Sequence, residues 1–322
     1  MSDPSQLRIT ALAGGIGAAR FLVGLTAILG PAQITIIANT GDDIELYGLR
    51  VCPDIDTVIY TLAGCVNEET GWGIAGDTFE FLKWIAHYGE PVWFNLGDRD
   101  LATHVYRTQQ LRRGSSLSEV TDSIRRSLGV GSRILPMTDD YAPTRVVTEQ
   151  GEMHLQEYFV RHRAEPRVRS INLEAAKLSR PAAGVAGAIL EADAVLICPS
   201  NPFISIGPIL AVPGIREALS RTAAPVAAVT PIVGGKALKG PAARMLSDLG
   251  HDPSALGVAR LYSDFIDLFV LDNVDAAMAP AIEDLGLCVM VTDTIMSSFE
   301  RKRQLAGEVV AAVGKGGFQN EN

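Results

Sequence analysis

Four aspartates near the N-terminus fall into two close pairs, Asp42 and Asp43 in NTGDD and Asp54 and Asp56 in CPDID. Carboxylate oxygens suit Mg²⁺, a cation that keeps several waters and joins one or two protein carboxylates to substrate phosphates. A carboxylate placed there can also accept a proton from an attacking hydroxyl. A glycine-rich turn, LAGGIGAARF, comes just before them. Its Gly14, Gly15 and Gly17 allow backbone N–H groups at a helix start to approach a phosphate. Together these features point to a diphosphate handled with a divalent cation. Capping competes for part of the set, because Asp54 or Asp56 ahead of TVIYTL also suits a helix N-cap.

Three further segments offer polar groups. NLGDRDLATH brings Arg99, whose forked donors suit oxyanions, and His104, which can do acid–base work or simply hold structure. Asp98 and Asp100 in the same segment can pair with Arg99 and Arg107. PSNPFISIGP follows an apolar run and presents Ser200, Asn201 and Pro202 at a place suited to nucleotide contacts, or else a proline-stiffened turn. TPIVGGKALKG sets Gly234 and Gly235 beside Lys236 and Lys239, without the order of a Walker A loop.

These groups need a scaffold, and composition describes one. The 322 residues are 47% hydrophobic and 20% charged, as in a globular protein with an ample core. A net charge of −9 speaks against nucleic acid as the main partner. Cys52, Cys65, Cys198 and Cys288 have no CxxC spacing, which fits a reduced setting. With neither a secretory leader nor an apolar run of membrane-spanning length, a cytoplasmic protein that avoids membranes is expected. A homodimer is the default expectation for its assembly.

Short apolar runs at residues 8–13, 34–38, 194–198, 226–230, 268–271 and 288–291 read as buried parallel strands, because strands covered on both faces need no alternation. Helical stretches at 18–29, 77–88, 116–128 and 298–313 lie between them. The fold expected is α/β, a Rossmann-like doubly wound and mostly parallel sheet. Residues 144–160 alternate around Gln150 and Gly151 as a hairpin would, so residues 136–181 read as an inserted, hairpin-containing subdomain within a single unit spanning 1–322.

Taken in order, LAGGIGAARFL, NTGDDIELYGLRVCPDIDTVIYTL, WGIAGDTF, LGDRDLATH, PSNPFISIGPIL, TPIVGGKALKGPA and DTIMSS resemble the transferases of coenzyme F420 biosynthesis. This is the 2-phospho-L-lactate transferase family, whose actinobacterial members are called phosphoenolpyruvate transferases. The resemblance implies Mg²⁺-dependent transfer from a guanosine-diphospho donor to the ribityl hydroxyl of the deazaflavin Fo (7,8-didemethyl-8-hydroxy-5-deazariboflavin), with release of GMP. It further implies catalytic roles for Asp42 and Asp54, metal ligation by Asp42, Asp43 and Asp54, and Fo contacts from Asp54, Asp56, Arg99 and His104. Gly14, Gly15, Gly17, Asn39, Ser200, Asn201 and Pro202 would meet the nucleotide and its diphosphate. The first block, GGIGAARFL, is closer to the actinobacterial pattern and tilts the donor towards the enolpyruvyl form. Two other readings are an NAD or nucleotide-sugar enzyme, disfavoured by the glycine spacing, and a non-catalytic nucleotide-binding regulator of the same fold, which would not need LGDRDLATH with PDIDT.

Overall fold

A computed structural model describes residues 7–238 and 240–314. The first strands are β1 (Ile9–Ala13), β2 (Ile34–Ala38), the hairpin β3 (Ile44–Leu46) and β4 (Leu49–Val51), and β5 (Arg133–Pro136). Then come β6 (Arg145–Thr148), β7 (Gly151–His154), β8 (Val168–Asn172), β9 (Ala194–Ile197) and β10 (Val226–Val229). The short pair β11 (Ile232–Val233) and β12 (Lys236–Ala237) precedes β13 (Leu268–Asp272) and β14 (Cys288–Thr292). Seven of them form one sheet, ordered β14-β13-β10-β9-β1-β2-β5, and every neighbouring pair is parallel. The chain works outward from β1 to β5 on one side, then returns to lay β9 on the other side of β1. Connections therefore diverge between β1 and β9, and a crevice opens there at the carboxyl ends of the strands.

The apolar runs are continuous because both faces of the sheet are covered. Along β2, Ile34, Ile36 and Ala38 enter one core and Ile37 the other, and β13 divides Leu268 and Val270 from Phe269 and Leu271 in the same way. Helices α1 (Gly15–Thr26), α2 (Pro53–Leu62) and Phe299–Gly314 pack on the first face. Three more helices belong to the site's surroundings: α3 (Glu80–His87), α4 (Asp98–Arg112) and α5 (Leu117–Ser127). Helix α5 begins with a reciprocal cap between Ser116 and Glu119.

The doubly wound sheet expected from sequence is present, and six of its strands fall on the six apolar runs. The seventh, β5, was not expected. RILP is short, begins with a charge and ends in proline, a composition suited to an edge strand. The hairpin at Gln150 and Gly151 forms with Thr148 opposite Gly151, and β8 adds a third antiparallel strand beside β6. The β3–β4 hairpin turns through Tyr47 and Gly48, whose positive φ values of 53° and 73° match the twist of the flanking strands. No single helix among the described residues is long and apolar enough to cross a membrane.

Helix α1 crosses the helix Phe299–Gly314 at Gly24, where an added Cβ would lie 2.0 Å from the main-chain oxygen of Lys302. Backbone meets backbone there, so no side-chain rotation relieves the clash. Gly24→Ala is expected to destabilise the fold by about 1–3 kcal/mol, read from the midpoint of urea unfolding. An unchanged midpoint would refute this close crossing.

Candidate active site

Ala13 ends β1, and the chain turns through Gly14 and Gly15 into α1. Gly15 has φ +74°, and an added Cβ at Gly14 would stand 2.7 Å from Asp54 Oδ2, 2.8 Å from Ser205 Cβ and 3.1 Å from Asn39 Cβ. The turn is thus pressed against the acidic segments, and only glycine fits at its first position. Gly14 offers no side-chain cap to α1, and within the first turn the Gly15 N–H is taken by the Asp54 carboxylate. Gly17 has another job: a Cβ there would lie 2.3 Å from the Pro199 carbonyl oxygen, so this glycine lets α1 pack against the end of β9.

Asn39, at the end of β2, joins the pieces. Its side-chain amide donates to Asp54 Oδ2 at 2.8 Å and to the Ile204 carbonyl at 3.2 Å, with Asp42 Oδ1 at 3.5 Å, and its Oδ1 accepts the Gly41 N–H at 2.8 Å. Asp42 Oδ2 accepts the Asp54 N–H at 3.0 Å, capping the first turn of α2. Asp42 and Asp54 are both buried. Burial pushes the Asp42 carboxyl well above the usual carboxylate range, reinforced by Asp54 and Asp43. Burial likewise raises Asp54 to about 6, against the opposing hydrogen bonds from Asn39 and the Gly15 backbone.

Asp43 faces another way. Its Oδ2 accepts from Arg50 Nε at 3.1 Å and from the Cys52 thiol at 3.1 Å, whereas Oδ1 has no donor among the described residues. Burial lifts this carboxyl to about 6 despite Arg50. The Arg50 guanidinium also lies over the Tyr141 ring, 4.1 Å from its centroid. The three-stranded sheet completes the enclosure: His154 Nε2 meets the Asp43 carbonyl at 3.0 Å, and Gln156 Nε2 donates to the Asp42 carbonyl at 3.1 Å.

Asp56 and His104 lie in a separate buried group with Asp100, Arg107 and Tyr60. Arg107, wholly inaccessible, donates through Nη2 to Asp56 Oδ1 and through Nη1 to His104 Nδ1 at 3.2 Å. The other ring nitrogen, Nε2, lies 3.3 Å from Asp100 Oδ1, and Nδ1 lies 3.6 Å from Asp56 Oδ2. Tyr60 donates to the same Asp100 oxygen at 2.8 Å. Asp56, Asp100 and His104 each offer a ligand atom within 4.8 Å of the others, but Arg107 already supplies positive charge there.

Other expected site residues act as supports. Ser200 Oγ donates to the Gly14 carbonyl at 2.7 Å, bracing the glycine turn from β9. Asn201 Oδ1 accepts the Phe203 N–H at 2.9 Å and caps the single π-helical turn Pro202–Ile206, in which Pro202 is buried. Asp98 caps α3 through Thr78, Glu80 and Phe81, while Asp77 returns the favour to Arg99 N and Asp100 N of α4. Arg99 is exposed, its guanidinium reaching the Ala75 carbonyl at 3.3 Å, and it makes no recorded bond to the acidic cluster. Gly234 and Gly235 turn the β11–β12 hairpin, Lys236 is exposed, and Lys239 lies outside the described residues.

Sequence reasoning passed over Arg50, Thr108, His154 and Gln156, and gave Arg107 only a pairing role. One signal was available: Asp100, His104, Arg107 and Thr108 share the spacing of one helical face, and a polar face of that kind can be buried if its charges match. Nothing local marks Arg50, His154 or Gln156, whose partners lie on other segments.

The sequence matches the family model described as 2-phospho-L-lactate transferase CofD over residues 9–295. It is 47% identical to a phosphoenolpyruvate transferase of Kitasatospora aureofaciens over 312 residues, covering 95% of this chain and 97% of that one. A Streptomyces coelicolor protein of the same name is 46% identical, with 94% and 97% covered, and one from Mycobacterium bovis is 39% identical, with 89% and 94% covered. The fold also matches a crystal structure of a UPF0052-family protein from Bacillus halodurans, with TM-score 0.65 and 14% identity over 95% of this chain and 99% of that one. With a glycine turn and two buried aspartates meeting at the strand divergence, and similarity to these transferases over nearly the whole chain, the chain belongs to the 2-phospho-L-lactate transferase CofD family.

Proposed function

We propose that this protein moves a phospho-enolpyruvyl group from a guanosine-diphospho donor to the ribityl hydroxyl of Fo, releasing GMP, as a step of coenzyme F420 biosynthesis. The observation that carries the reading is the contact of Asp54 with both the Gly14–Gly15 turn and Asp42, at the point where the sheet's connections diverge. Phosphoryl transfer asks a protein mainly to position the reactants and to neutralise charge. Beyond Gly15, whose N–H meets Asp54, the N-terminus of α1 offers N–H groups for phosphate oxygens. Names of relatives at 39–47% identity favour the enolpyruvyl over the lactyl donor.

Charge matching supports a divalent cation. Arg50 is committed to Asp43 and Arg107 to Asp56, so neither offers its charge to Asp42 or Asp54. The fit rests on two adjacent buried carboxylates, Asp42 and Asp54, whereas Asp43 is turned to Arg50. Asp42 and Asp54 would hold Mg²⁺, and the cation would supply neutralising charge to the diphosphate. Asn39 fixes the Asp54 carboxylate, and a carboxylate held there can accept the proton of the Fo hydroxyl. Arg99, exposed at the start of α4, is the cation we assign to the incoming acceptor.

The primary test is incubation with Fo, Mg²⁺ and each guanosine-diphospho donor in turn, with products identified by mass. Transfer of the enolpyruvyl group is expected, and no product from any donor would exclude the reading. Asp42→Asn and Asp54→Asn are each expected to lower kcat by about 10²–10³-fold, the usual scale for losing one electrostatic contact in a transition state, with far-ultraviolet circular dichroism unchanged. Near-normal rates in both variants would remove these residues from the chemistry.

Stability offers an independent check. A carboxyl whose folded value lies above its ordinary value of about 3.9 holds its proton more tightly when folded. Its contribution to stability is therefore full below that value and lost as pH rises through about 6, at a cost of about 3 kcal/mol for Asp54. Without metal, Asp54→Asn should gain melting temperature relative to the unmodified protein as pH rises from 4 to 7. Added Mg²⁺ should close that gap. A gap independent of pH would show that Asp54 is not held in this state.

A further inference from the structure

We propose that Arg107 is a positioning residue for the transfer, an inference that rests on the transferase reading of the site. Arg107 lies on α4, fully buried, and makes no recorded bond to Asp42 or Asp54. Its guanidinium nevertheless joins the segments that carry the acidic residues. Through Nη2 it binds Asp56, two residues beyond Asp54 on α2, and so fixes the first turn of the helix that aims Asp54. Through Nη1 it donates to the main-chain carbonyl of Arg50 on β4 at 3.4 Å. The neighbouring Thr108 Oγ1 accepts the Arg50 N–H at 2.8 Å, so α4 grips both sides of that residue's backbone. Arg50 in turn clamps Asp43 at 3.0–3.1 Å. Helix α4 thus sets the α2 carboxylates and the NTGDD turn relative to each other through one planar fork, a geometry that a flexible ammonium does not reproduce.

Stability alone does not account for this arrangement. A buried ion pair replaced by apolar groups of similar volume is often neutral or stabilising, whereas loss of one partner leaves a bare buried charge. The network therefore earns its place through orientation, and misplacing reacting groups by about 1 Å can cost roughly a hundredfold in rate.

The test compares Arg107→Met and the double variant Asp56→Val/Arg107→Met with the unmodified protein. Three quantities are measured: melting temperature, the rise in melting temperature on adding Mg²⁺ with GDP, and kcat and donor KM with Fo. Arg107→Met should melt lower than the unmodified protein. The double variant should recover that loss while its kcat stays about a hundredfold down, its donor KM stays within about threefold, and its Mg²⁺–GDP response stays weakened. A double variant that melts normally and also regains kcat and the Mg²⁺–GDP response would overturn the proposal, leaving Arg107 a purely structural partner. Stoichiometric zinc in the purified protein, lost in Asp100→Asn, would overturn it too, by making the cluster a metal site. If the unmodified protein transfers nothing to Fo, the transferase reading fails by itself, and the Mg²⁺–GDP response of the double variant still decides whether Arg107 positions the acidic residues.

Discussion

Five aspartates, Asp42, Asp43, Asp54, Asp56 and Asp100, are buried in two adjoining groups, and among the described residues the arginines paired with them are Arg50 and Arg107. Desolvating an ionised carboxylate costs several kcal/mol unless a cation or several donors compensate. The two arginines go to Asp43 and Asp56, and Asp100 is met by Tyr60 and His104. Asp42 and Asp54 are left with hydrogen bonds from Asn39, Gln156 and the chain itself. The uncompensated charge is thereby concentrated beside the glycine turn. Much of the surrounding structure follows from this constraint: the β3–β4 hairpin presents Arg50, α4 presents Arg107, and the three-stranded sheet covers the acidic turn.

The parallel sheet supplies the meeting point. Divergence of the connections at β1 and β9 leaves space at the carboxyl ends of those strands, and the segments leaving β1, β2 and β9 all enter it. Each sends a short side chain or bare backbone there: Gly14 from β1, Asn39 from β2, Ser200 and Ser205 from beyond β9. Small residues let three backbones come within contact distance, so the position of a single carboxylate, Asp54, is defined from several sides at once.

The sequence was legible wherever a physical preference is local. Runs covered on both faces announce the central strands, and the turn at Gln150 and Gly151 announces its hairpin. Asp42 and Asp54 could be singled out because acidic pairs after a strand are chemically distinctive. Their partners were not legible. Asp43 has the same side chain as Asp42 and stands next to it, but a strand turn aims it at Arg50. Asp56 on α2 is matched by Arg107 on α4, a relation set by the packing of two helices and not by either segment alone. Ser200 and Asn201 stand where nucleotide contacts are expected, and in the fold Ser200 also braces the glycine turn while Asn201 caps a helix. Position identified the neighbourhood, and tertiary packing assigned the tasks within it.

The hold of His154 and Gln156 on the carbonyls of Asp43 and Asp42 has a consequence for protein engineering. These two side chains tie the three-stranded sheet to the acidic turn, so the sheet alone is not an exchangeable module. A chimera without them would leave two buried carbonyls lacking donors, at about 1–3 kcal/mol each. The module is therefore not portable by itself. Any transplant has to treat the sheet and the turn beneath it as one cassette.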